Sequence, residues 1–272
     1  SDVCSSDLDN ASILEVKDVS LAYSGQEGLA VDGVSFNIKQ GHTLGLVGAS
    51  GAGKSSIARM LMQLARPIAG DILFNGVSLL RASASQRSQI QRAIQFVFQE
   101  PSASLSPRRK IASTLLEPLA HFGIGNKAER LEKIHRTLDM VGLGGGVLER
   151  YPHQFSSGQQ QRIAIARALV TDPQLLVADE AVSSLDVSIQ AQILQLLQAV
   201  KRELGITMLF ISHDLAVIRQ LADEVAVMNG GQMLEHCVAD QFFSSPSHPY
   251  SRSLLAFARQ NAAPSQIGRA HV

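Results

Sequence analysis

Gly48-Ala49-Ser50-Gly51-Ala52-Gly53-Lys54-Ser55 fits the spacing G-x-x-x-x-G-K-[ST]. Gly48, Gly51 and Gly53 let the backbone curl until successive N–H groups face one anion, and a helix opening at the lysine adds positive potential. Lys54 then reaches the β- and γ-phosphates of a nucleotide and Ser55 ligates Mg²⁺, with Ser50 and Ser56 in the same cradle. Without a strand before it and a helix after it, the same run is only a tight glycine turn with an exposed lysine. Leu175-Leu176-Val177-Ala178-Asp179-Glu180 supplies a second group, two carboxylates at the end of an apolar run. Asp179 is suited to hold Mg²⁺ through water and Glu180 to polarise an attacking water, the general-base role in phosphoryl transfer. Taken alone, such a pair can equally cap a helix.

The surrounding pattern supplies the elements these residues need. Thr43 to Val47 is a short apolar run fit for a buried parallel strand, and Ser55 to Ala65 carries Ile57, Met60, Leu61 and Leu64 at helical spacing, ended by Pro67 and Gly70. Upstream, Leu14, Val16, Val19 and Leu21 alternate with polar residues as half-buried strands do, and Val34 to Ile38 repeats the pattern before the Gln40-Gly41 turn. Between about Gln99 and Arg162 the character changes. Ile111 to His121 and Ala128 to Val141 read as amphipathic helices, with Gly142 to Gly146 as a breaker. Strands at Leu175 to Ala178, Met208 to Ile211 and Glu224 to Met228 then alternate with helices at Ile189 to Leu204 and Leu215 to Leu221. That alternation predicts a mostly parallel sheet covered by helices.

Composition narrows the partners. Lysine plus arginine and aspartate plus glutamate both total 24 in 272 residues, so no long-range field draws the chain towards nucleic acid, and none is expected as a partner. Hydrophobic residues reach 45%, but every apolar stretch is too short and too interrupted to span a bilayer. Cys4 and Cys237, far apart in sequence, fit a reducing compartment. The ends are related to each other: with one choice of codons, Ile267-Gly268-Arg269-Ala270-His271-Val272 reads in reverse complement as Asp2-Val3-Cys4-Ser5-Ser6-Asp7. This inversion resembles a sequencing-library adapter. Residues 1–8 and 267–272 are therefore expected to be adapter-derived, with the genuine protein beginning near Leu8, ending near Gln266 and able to continue beyond both. Cys4 then carries no redox information.

Phe155-Ser156-Ser157-Gly158-Gln159, followed by Gln160-Gln161-Arg162, closely resembles the signature motif of ABC ATPases, and the ordered set makes the resemblance specific. Tyr23 precedes the phosphate loop where that family places an aromatic on the adenine. Phe98-Gln99-Glu100 resembles its Q-loop, Ser183-Ser184-Leu185-Asp186 its D-loop and Ile211-Ser212-His213-Asp214 its switch histidine. The resemblance runs from about Ile13 to Ala258. It implies that Gln99 is a ligand of Mg²⁺ and water that also senses a membrane partner, that His213 contacts the γ-phosphate, and that Asp186 serves at an interface or as a helix cap. It also implies a head-to-tail pair of ATPase domains, homodimeric or heterodimeric, in which Ser156 to Gln159 of one domain close over the ATP of the other. Two positions depart from the pattern. Ser157 stands for the first glycine of the signature pair, which is expected to weaken the nucleotide sandwich, so that Ser157→Gly changes the ATPase rate; Ala181 stands where many relatives have proline. Ser245-Pro246-Ser247-His248-Pro249-Tyr250-Ser251-Arg252-Ser253-Leu254-Leu255 resembles the C-terminal segment of oligopeptide, dipeptide and nickel importer ATPases, and Pro101 to Arg108 points to the same branch.

The expected architecture is a RecA-like P-loop α/β core with an antiparallel β-subdomain and an inserted α-helical subdomain. Residues 12–98 and 164–236 are assigned to the core with its β-subdomain, 99–163 to the helical subdomain and 237–266 to the C-terminal segment. The expected activity is Mg²⁺-dependent ATP hydrolysis at the cytoplasmic face of the inner membrane, powering uptake of peptides or similar solutes through permease subunits and, indirectly, a solute-binding protein. A soluble non-transport ABC ATPase and one half of a tandem two-ATPase subunit are the alternatives.

Overall fold

The computed structural model describes residues 12–25, 28–101 and 104–262. The adapter-like ends with Cys4, and Ser102-Ala103 of the loop after Gln99, lie outside the described residues.

The opening strands build an antiparallel sheet of order β2-β1-β4-β5, from β1 (Ser12–Leu21), β2 (Val31–Lys39), β4 (Ala69–Phe74) and β5 (Val77–Ser78). Strict alternation in β1 fails at the exposed pair Lys17-Asp18. There Asp18 takes a φ of 47° and the pairing shifts register, which returns Val19 and Leu21 to the buried face.

The second sheet has the order β10-β9-β3-β8-β7-β6, from β3 (Thr43–Val47), β6 (Ile94–Phe98), β7 (Leu175–Asp179), β8 (Thr207–Ile211), β9 (Glu224–Asn229) and β10 (Gln232–Val238). All neighbours are parallel except β10, which returns antiparallel along β9. The central strands are predominantly apolar because both faces are covered. Leu176, Ala178, Met208 and Phe210 join one core cluster, shared with the helices α3 (Ile111–His121), α4 (Lys127–Met140), α5 (Ser157–Leu169), α6 (Val187–Leu204) and α7 (Leu215–Leu221). Leu175, Val177, Leu209 and Ile211 point the other way, towards α1 (Lys54–Leu61), α2 (Ala84–Ala93) and the antiparallel sheet. The chain closes with α8 (Ala239–Ser244) and α9 (Pro249–Ala262).

This order places the site. Because β3, β8 and β7 run parallel and side by side, the segments that follow them leave the sheet at one edge, where ligands sit in open α/β sheets.

Several elements differ from the sequence reading. The helix after the phosphate loop stops at Leu61 rather than Ala65: Gln63 adopts a φ of 58°, and Leu64 is 74% exposed instead of packed. The helix expected to start at Ile189 begins at Val187, because Asp186 caps it. β4, β5, β6, β10, α2, α5, α8 and α9 were not anticipated from the periodicity; α2 is announced by a capping box between Ser83 and Gln86.

Candidate functional site

The turn from β3 into α1 forms because only glycine fits at two of its corners. At Gly48, with φ of 155°, a Cβ would lie 2.1 Å from the Met228 carbonyl oxygen; at Gly53, with φ of 100°, it would lie 2.5 Å from that of Ala30. Gly53 caps α1 without any side-chain bond to the first turn, so the helix N-terminus keeps its donors and positive potential for an anion. Lys54 is buried and its Nζ donates to the carbonyls of Gly48 (2.8 Å) and Ala49 (2.9 Å). An ammonium has three donors, so one remains for a phosphate oxygen. Burial pulls the Lys54 pKa down, opposed by the charges of Glu180 and Asp179.

Across the edge, Asp179 ends β7 with its Oδ1 3.5 Å from the Ser55 hydroxyl. Burial pushes its pKa up; the Ser55 bond, Lys54 and Arg59 oppose this, while the neighbouring Glu180 adds to it. A hydroxyl and a desolvated carboxylate facing each other form a hard, oxygen-only donor pair that suits Mg²⁺, which is ordinarily held by one or two carboxylates plus substrate phosphates. Among the described residues no cluster of three or more His, Cys, Asp or Glu side chains offers a stand-alone metal site.

Glu180 has a φ of 49°, unusual for a non-glycine residue. The conformation is fixed by its N–H, which donates to Ile211 O (2.9 Å), and by its carbonyl, which accepts from Ser183 N (3.1 Å) and Ser183 Oγ (3.0 Å). The carboxylate meets Nδ1 of His213, from the loop after β8, at 2.9 Å. Glu180 thus stands on a strained but well-anchored backbone, as active-site residues often do.

Tyr23, Ser50, Gly51, Gly53, Lys54, Ser55, Ser56 and Glu180 line one open cleft of about 510 Å³. Tyr23 donates to Ser56 Oγ (3.2 Å) and accepts from Arg59 Nη1 (3.4 Å), which holds the ring at the cleft mouth. Asp179 and Gly48 join through Ser55 and Lys54, and His213 through Glu180. The remaining expected residues lie elsewhere. Ser156 caps α5 and forms a reciprocal box with Gln159, while Gly158 is buried with its Cα against Ile189, where a Cβ would come within 2.6 Å of Cγ2. Ser157 is exposed in ordinary helical backbone, so serine is accommodated there and glycine is required one position later. Asp186 caps α6 through Ile189 N (3.0 Å), a bond that holds its pKa low. Gln99 is exposed, and its carbonyl accepts from Ser184 Oγ (3.2 Å).

Two residues were missed. Arg59 lines the cleft, one helical turn after Ser55, with its guanidinium 5.9 Å from the Tyr23 ring centroid; the i, i+4 spacing was the available signal. Gln161 is fully buried and its Nε2 donates to Ala181 O (2.7 Å) and Phe98 O (3.4 Å). It ties α5 to the segments carrying Glu180 and Gln99, and its signal was a glutamine in register with the apolar positions Ala164, Ile165 and Ala168.

The arrangement can therefore grip a polyphosphate, seat a hard cation and orient a water at a carboxylate backed by an imidazole. The family model described as ABC transporter matches residues 31–183. A putative peptide import ATP-binding protein of Brucella ovis is 48% identical over 226 residues, covering 83% of this chain and 71% of that protein. The oligopeptide transport ATP-binding protein AppF of Bacillus subtilis is 45% identical over 254 residues, covering 90% and 77%. Among solved structures, an ATP-binding cassette in a dimeric post-hydrolysis state bound to ADP and Pi superposes with a TM-score of 0.74 at 29% identity, covering 83% of this chain and 98% of that one.

Proposed function

The chain belongs to the ABC transporter family and is an ATP-binding, ATP-hydrolysing subunit; from that premise we propose that it powers import of peptides through partner membrane subunits at the cytoplasmic face of the inner membrane. The names of the relatives and the C-terminal segment from Ser245 to Leu255 support the peptide reading. Among the described residues no helix is long and apolar enough to cross a membrane; the import names of the relatives support permease partners as the permeation path, fed in turn by a solute-binding protein.

In this reading the amide-lined turn and Lys54 bind the ATP phosphates, and Tyr23 packs against the base. Ser55 and Asp179 would hold Mg²⁺, with Gln99 approaching from outside the cleft lining as a further ligand, and the bound ion would neutralise charge on the phosphates. Glu180 accepts a proton from the attacking water, and His213, bonded to Glu180 Oε1, keeps that carboxylate pointed into the cleft. Ser156 and Gln159, exposed at the start of α5 beside the buried Gly158, complete with Asp186 the site of a second ATPase domain in a head-to-tail pair. Residues 99–163 act as a helical subdomain on the core of 12–98 and 164–236, followed by the C-terminal segment 237–266. The continuity of α5 through residue 164 lets motion of this subdomain reach the core.

The observation that carries the reading is the 2.9 Å Glu180–His213 pair at the rim of the phosphate cleft. Its test is ATP turnover and peptide accumulation in proteoliposomes holding the chain, its permeases and its solute-binding protein. Glu180→Gln is expected to lower turnover by about 10²–10⁴-fold and to abolish accumulation while ATP still binds. Turnover that persists in the variant overturns the catalytic assignment; turnover without uptake of any peptide overturns the substrate class.

A further inference from the structure

The Gly48–Ala49 peptide group is held at both ends. Its carbonyl accepts from Lys54 Nζ at 2.8 Å, and its N–H donates to the hydroxyl of Tyr250, on α9, at 3.4 Å. The second holder comes from more than 200 positions away in sequence and from none of the elements that build the cleft.

Tyr250 is fixed there by a buried anchor. Glu235 on β10 is only 9% exposed, and its carboxylate accepts from the backbone N–H of Ser247 (2.7 Å) and His248 (3.2 Å), the last residues before α9. His248 Nδ1 accepts in turn from the N–H of Tyr250 (3.1 Å). Leu255 packs into the main core one helical turn on, and α9 shares with Gly48 and His213 the wall of a second hollow. In the Ser-Pro-Ser-His-Pro-Tyr run, the N–H groups of Ser247 and His248 and the His248 ring thus link Glu235 to the residue whose phenol meets the phosphate loop.

We propose that Tyr250 is a positioning residue for ATP binding: by holding the Ala49 N–H it fixes the peptide whose carbonyl orients the Lys54 ammonium. Tyr250 is outside the lining of the cleft, so its hydroxyl need not touch nucleotide. Without it, the Gly48–Ala49 peptide is free to rock about its flanking bonds, and Lys54 loses a fixed acceptor for one of its three donors. The inference rests on the assignment of the cleft to ATP.

The test compares the full chain with Tyr250→Phe, which keeps the ring and removes only the hydroxyl. Kd for ATP, KM and kcat with its permeases, and the melting midpoint of the nucleotide-free protein are measured. The expected result is a three- to tenfold rise in Kd and KM, the equivalent of one net hydrogen bond, with kcat and the melting midpoint essentially unchanged. An unchanged Kd overturns the proposal whatever happens to stability. A rise in Kd accompanied by a large fall in melting midpoint also overturns it, because the hydroxyl then acts through the packing of α9. A wild-type chain that binds no ATP sinks the cleft assignment itself, and this proposal with it.

Discussion

Two adjacent carboxylates at the end of β7 have opposite fates. Glu180 is drawn out by its left-handed backbone to meet His213, whereas Asp179 stays desolvated beside Ser55 with its pKa raised. An acid held above its unfolded pKa works against folding once both states are ionised, so the charge on Asp179 costs stability at neutral pH, as the proposed cation role requires. Asp179→Asn is accordingly expected to raise the melting midpoint of the nucleotide-free protein while removing Mg²⁺-dependent ATP hydrolysis; calorimetry and an ATPase assay on the same preparation check both halves. The identities of Asp179, Glu180 and Lys54 were legible because motif spacing puts them after apolar runs. The φ of Glu180 was not, since it is imposed by the Ile211 carbonyl and the Ser183 turn, contacts that no local pattern encodes. The same holds for Ser157. Its departure from the family pattern is visible in the sequence, whereas its regular, exposed helical position next to the crowded Gly158 is seen only in the fold.

At the scale of elements, close approach rather than propensity decides the phosphate turn. Gly48→Ala would press a methyl into the Met228 carbonyl on β9, an atom that cannot swing aside. It is expected to cost about 2 kcal/mol of stability and to abolish ATP binding, measured by denaturant unfolding and nucleotide titration. Strands β3, β7 and β8 and helices α3 and α7 were legible from periodicity, being buried on both faces or amphipathic. The edge strand β10 and helix α9 were not, because β10 is half-buried and the start of α9 is set by a distant carboxylate as well as by the His248 side chain. That carboxylate makes the docking pH-dependent. Burial pushes the pKa of Glu235 up, but the buried Ser251 hydroxyl, close by at less than ideal hydrogen-bond geometry, and the amides of Ser247 and His248 outweigh it and leave the pKa lowered. A lowered acid contributes stability in full above its unfolded pKa, about 4.3, and loses it as the pH falls through the lower folded value. The gap in melting midpoint between wild type and Glu235→Gln, present at neutral pH, is therefore expected to close below about pH 4.

For the whole molecule, one chain presents a cleft with a phosphate cradle and a water-orienting pair, but leaves Ser156, Gly158 and Gln159 outside its lining. A chain so divided is complete only in company. In the Glu180→Gln background, where ATP persists, addition of ATP is expected to convert the protein to a species of twice the mass in sedimentation, and Gly158→Arg, which sets a bulky cation where a Cβ already meets Ile189, to prevent it. The alternation of strand and helix made the core legible at this scale, and the signature run made the second domain an expectation; nothing in the pattern showed which strand separates the two halves of the site. That strand is β8, hydrogen-bonded to β3 on one side and β7 on the other. Two inter-strand steps, about 9.5 Å, consequently separate the backbones of β3 and β7, from whose ends the phosphate turn and the carboxylates project. The gauge of the active site is written in backbone hydrogen bonds, so substitutions along these strands can alter what the tools do without altering how far apart they are held.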